Sequence, residues 1–65
     1  MDRNYEELAN AIVLQAVKDY REALKNEEGK ITILEVETFF RSNWFKLLTN
    51  IDPEMLIEKL KGEVL

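Results

Sequence analysis

Apolar residues recur at helical spacing through most of this chain. Tyr5, Leu8, Ala9, Ile12, Val13, Ala16, Val17, Tyr20, Ala23 and Leu24, set at ~100° per residue, form a stripe about half the helix circumference wide. A helix this broadly apolar is expected to be flanked on two sides. Its predicted span runs from Asn4, a side chain suited to an N-cap, with Glu6 and Glu7 complementing the dipole of the first turn, to about Asn26. The opposite face carries Glu7, Lys18, Arg21 and Lys25, and Leu14 stands among them with Ala11 beside it. Leu14 is therefore a candidate for a second contact.

The stretch NEEGK, Asn26 to Lys30, ends the pattern, with Gly29 supplying turn freedom. KITILEV then alternates like a strand, but a lone strand has no partner here. Thr32 with Glu35 reads instead as a capping box for a second helix starting at Ile33. If that helix continues to about Thr49, Ile33, Val36, Phe40, Trp44, Leu47, Leu48 and Ile51 share one stripe, which places Phe40 and Trp44 in the core. Leu34, Phe39 and Phe45 fall off it. Two arrangements account for the off-stripe aromatics: a break near Ser42-Asn43, both good N-caps, re-aims Phe45 inward, or an unbroken helix presents Phe39 and Phe45 to a partner. Asp52-Pro53-Glu54 is an N-cap, a first-turn proline and a first-turn acid. It opens a short helix to about Lys61, stopping near Gly62, with Leu56, Ile57 and Leu60 inward. The expected fold is all-α: a three-helix bundle in a single domain spanning residues 1–65, or four helices if the break is real.

Length and charge narrow the function. Sixty-five residues bury only about 60% of the unfolded surface, so added support matters. There is no cysteine or histidine, which removes thiolate chemistry, the commonest metal ligand and the commonest general base. The remaining carboxylates, tyrosines and hydroxyls form no catalytic pattern, and no enzyme and no cofactor is expected. Aligning Gly29 with the glycine of an EF-hand puts Asn26 and Glu28 at the third and fifth positions, Ile31 at the eighth and Glu35 at the twelfth. The first ligand position then falls on Leu24, so no metal is expected. The run from Leu8 to Val17 is well short of the roughly 18 apolar residues of a membrane span, and MDRNYEE is acidic where a signal peptide is basic. A soluble, cytoplasmic chain is expected.

The net charge of −4 opposes general attraction to nucleic acid or anionic lipid. From Thr38 to Ile51, however, there is no acid, and Arg41 and Lys46 make the window locally basic. Phe39, Arg41, Phe45 and Lys46, with Leu14, are the candidate partner-binding residues, since Arg and aromatics are enriched at binding hot spots. The expected partner is a protein, with a second copy in a homodimer as one such partner. A helix-turn-helix nucleic-acid reader using Arg41, Asn43 and Lys46 is the alternative, as is an acidic DNA mimic built on Glu27, Glu28, Glu35 and Glu37.

The segments YEELANAIVLQAVKDYREAL and FFRSNWFKLLTNIDPEMLIEKL together cover most of the chain. Their most distinctive parts are Ala11 to Arg21 and Phe39 to Phe45. They resemble a group of small uncharacterised proteins encoded in prophages and integrative elements of Gram-positive bacteria. The resemblance implies an accessory protein that binds a host or phage protein, and it transfers no catalytic residue.

Overall fold

The computed structural model describes residues 3–64. Four helices follow one another: α1 (Arg3–Leu24), α2 (Lys30–Phe40), α3 (Asn43–Leu48) and α4 (Pro53–Val64). The chain is all-α, as the apolar spacing predicts, and the break in the second predicted helix is real. Asn4 lies inside the first turn of α1 rather than capping it.

α1 and α2 form an antiparallel hairpin across a short turn. The Asn26 side chain accepts from the Glu28 amide at 3.0 Å, and the Asn26 carbonyl accepts from Gly29 N at 3.0 Å. α2 begins at Lys30 with Gly29 as N-cap and no side-chain cap, so the expected start at Ile33 and the Thr32-Glu35 capping box are both displaced: Thr32 already lies inside the helix. The glycine's role also differs from the expected one. Gly29 has φ −83°, which any residue adopts. What requires glycine is proximity, because a β-carbon there would overlap the Ala23 carbonyl oxygen and sit 2.8 Å from Ala23 Cα.

The break between α2 and α3 is held by one hydroxyl. Ser42 adopts extended backbone, φ −78° and ψ 160°. Its Oγ donates to the Phe39 carbonyl at 2.6 Å and accepts from Phe45 N at 3.2 Å, satisfying a carbonyl at the end of one helix and an amide at the start of the next. α4 starts as predicted, with the Asp52 carboxylate accepting from Glu54 N at 3.0 Å. It does not stop at Gly62 but continues to Val64, and the bond from Arg21 Nε to Glu63 at 2.9 Å ties this extra turn to α1.

The core runs between α1 and the other three helices. Val13, Tyr20, Phe40, Phe45, Ile57 and Leu60 are buried against one another, with Leu24, Ile33, Val36, Phe39 and Leu56 packed around them. The rings of Tyr20 and Phe40 meet edge to face at 5.7 Å, and those of Phe40 and Phe45 at 5.3 Å. Each such pair contributes about 0.5–1.5 kcal/mol beyond the area it buries.

Candidate functional site

The break re-sorts the aromatic stretch. Phe45 is fully buried, so the surface role expected for it is corrected: the turn at Ser42 rotates α3 until Phe45 points inward. The same rotation carries Trp44 and Leu47 out of the core in which an unbroken stripe would place them, to 56% and 75% exposure, and Ile51 is exposed as well. Phe40 is buried as expected. Phe39 is half-buried, with its ring against Trp44 at 5.7 Å and Phe45 at 5.6 Å. Among the other candidates, Leu14 is exposed on α1 away from the core, and Lys46 is exposed with no ion pair among the described residues.

Arg41 is exposed but engaged. Its guanidinium donates to Glu54 through Nε at 2.6 Å and Nη2 at 3.0 Å, and to Glu37 through Nη1 at 3.2 Å. The locally basic window is thereby closed by acids from outside it, α2 and α4 each contributing one. Arg41, Lys46 and Leu14 are not brought together with Phe39 into one surface.

Behind Arg41 lies a polar network that helical spacing alone does not reveal. Tyr20 Oη, from α1, donates to Glu37 Oε2 on α2 at 2.6 Å, and Lys61 Nζ, from α4, approaches the same oxygen at 3.5 Å. The Glu37 side chain is only 12% exposed. The signal was available in the sequence: Glu37 follows Ile33 by four positions and precedes Phe40 by three, so it sits on the inward edge of α2. Its partner, seventeen residues earlier, cannot be read from any spacing rule.

The network makes stability depend on pH with a defined sign. The hydrogen bond from Tyr20 holds the Glu37 carboxyl below its ordinary value of 4.5, against the upward push of burial and with help from Lys61 and Arg41. A carboxyl that binds its proton less readily in the folded chain stabilises the fold above pH 4.5 and loses that contribution as pH falls through its lower folded value. Burial, and then the bond to Glu37, raise the Tyr20 phenol well above its ordinary 10.0, so its contribution is present below pH 10.0 and lost as pH rises past it. Replacing Glu37→Gln is expected to cost about 1–2 kcal/mol at neutral pH and to flatten the acid limb of stability. Urea denaturation across the acid range measures both, and an unchanged acid limb would assign the sensitivity to other carboxylates.

Two surfaces that carry exposed apolar side chains remain on the outside. The first is a strip at one end of the bundle, where Tyr5 of α1 faces Leu47 and Leu48 of α3. Around this strip the polar residues are Asn10, Thr49, Asn50 and Glu6. The second is a groove of about 330 Å³ between α1 and α2, lined by Ile12, Ala16, Val36, Phe39 and Trp44 with Gln15, Asp19 and Glu35 at its rim. Among the described residues there is no group of acids that could hold a metal ion, and no helix is long and apolar enough to cross a membrane.

No protein-family model, curated protein or solved structure matches this chain.

Proposed function

We propose that the chain is a helical protein-interaction module that pairs with a second copy of itself through the strip of Tyr5, Leu47 and Leu48. The observation that carries this reading is the six-residue helix α3, which buries Phe45 completely and still exposes Leu47 at 75% and Trp44 at 56%. A helix with apolar side chains on both faces has one face for its own core and one for another chain. Size supports the same reading, since a domain this small gains missing core by associating. The rim of the strip supports it too: a mostly neutral border of Asn10, Thr49 and Asn50 lets two like surfaces meet with little charge repulsion. Work in the cytoplasm as an accessory protein of a mobile element fits a module of this kind, as the prophage resemblance implies. The nucleic-acid reading loses support where Arg41, its main cation, is held by Glu37 and Glu54.

Sedimentation velocity over the micromolar range tests the pairing. The native chain is expected to pass from monomer to dimer with rising concentration, and Tyr5→Ala with Leu47→Ala, both at exposed positions, is expected to stay monomeric with undiminished helicity. A native chain that sediments as a monomer throughout would remove the pairing.

A further inference from the structure

Among the described residues, only some carboxylates have a partner cation. Glu37, Glu54 and Glu63 face cations of the same chain, and between them they engage Arg21, Arg41 and Lys61. Asp19 and Glu35 do not. They stand on opposite walls of the α1–α2 groove, one on each helix, over a floor of Ile12, Ala16, Val36, Phe39 and Trp44. Asp19 accepts only from its neighbour Gln15, at 3.0 Å, and Glu35 has no hydrogen bond or ion pair among the described residues.

We propose that this groove binds an amphipathic helix of a protein partner whose apolar stripe is flanked by lysine or arginine. The proposal goes beyond the pairing of two copies and uses a different surface. A furrow between two helices takes apolar side chains projecting from a third, at helical spacing. Uncompensated negative charge on both walls selects a partner with cations on both sides of its stripe and opposes an acidic one. A second copy of this chain is a poor occupant, because it brings a net charge of −4 to an acidic rim. Trp44, the only tryptophan, lines the groove and reports on its occupation.

The test uses a synthetic helical peptide with leucine at every third or fourth position and lysine on both sides, and a control with glutamate in place of each lysine. Adding the lysine peptide to the whole protein is expected to shift Trp44 emission, with an affinity that falls as salt rises. Asp19→Asn with Glu35→Gln is expected to weaken binding about fivefold, as two partly screened charge pairs should, without changing the melting temperature. Tyr5→Ala with Leu47→Ala is expected to bind as the native chain does, which keeps the outcome independent of self-pairing. Equal binding of the glutamate peptide would overturn the proposal, as would undiminished binding by the Asp19/Glu35 variant or the absence of any binding of the lysine peptide by emission and calorimetry.

Discussion

Phe45→Ala is expected to destabilise the protein by about 3–5 kcal/mol, while Trp44→Ala, one residue away and also aromatic, costs about 1–2 kcal/mol. Phe45 is fully buried and touches both Phe39 and Phe40, so its removal opens a cavity at the meeting point of α1, α2 and α3. Those neighbours are rings held by helices and cannot close over the space. Trp44 is more than half exposed and loses mainly its edge-to-face contact with Phe39. At about 0.05–0.15 kcal/mol per residue, a domain of this length has only about 3–10 kcal/mol in total. The Phe45 variant is therefore expected to lose half or more of a mid-range stability and to unfold at a much lower urea concentration, while the Trp44 variant keeps most of its stability. Circular dichroism with urea titration separates them. The reverse order, with Trp44→Ala the more damaging, would mean that the helix runs unbroken through Ser42.

That contrast also shows where the sequence was legible. The all-α class, the long first helix, the turn at Asn26 to Lys30 and the proline start of α4 all follow from local rules, because periodicity and capping act within a few residues. The inward face of α4 followed as well: Ile57 and Leu60 are buried and Leu56 packs beside them. The break at Ser42 was one of two arrangements the sequence allowed, and everything about the aromatics depended on it. A turn of two residues, Arg41 and Ser42, rotates the following helix enough to exchange Phe45 for Trp44 in the core, while an unbroken wheel reads them in the opposite sense.

The candidate surface was legible only in part for the same reason. Phe39 lines the groove, whereas Phe45 is buried and Leu47 is exposed in its place. Arg41 illustrates a second limit. As a cation in an acid-free window it looked free to grip a partner, yet Glu54 lies thirteen residues on and reaches it only because the chain turns back to pack α4 on α1. Charge in a window of sequence does not survive folding when the neutralising groups come from other helices.

Gly29→Ala is expected to cost about 1–3 kcal/mol or somewhat more, although the backbone dihedrals at that position suit alanine. The added methyl would meet the Ala23 carbonyl oxygen, and it would lie 2.8 Å from the Ala23 carbonyl carbon and α-carbon. These are backbone atoms in the last turn of α1, so no side-chain rotation relieves the overlap, and the two arms of the hairpin must move apart or slide. Sliding shifts the register in which Tyr20 reaches Glu37 at 2.6 Å, so the variant should also lose part of the acid dependence that the Glu37 carboxylate confers. Gly62 provides the internal comparison. It lies inside α4 with no heavy atom within 4 Å of an added β-carbon, and Gly62→Ala should stabilise the helix by about 0.5–1 kcal/mol. Opposite signs at the two glycines, measured by thermal and urea unfolding, would trace the requirement at Gly29 to close packing of α1 on the turn. A neutral or stabilising Gly29→Ala would mean that the hairpin sits more loosely than the contact between Gly29 and Ala23 implies.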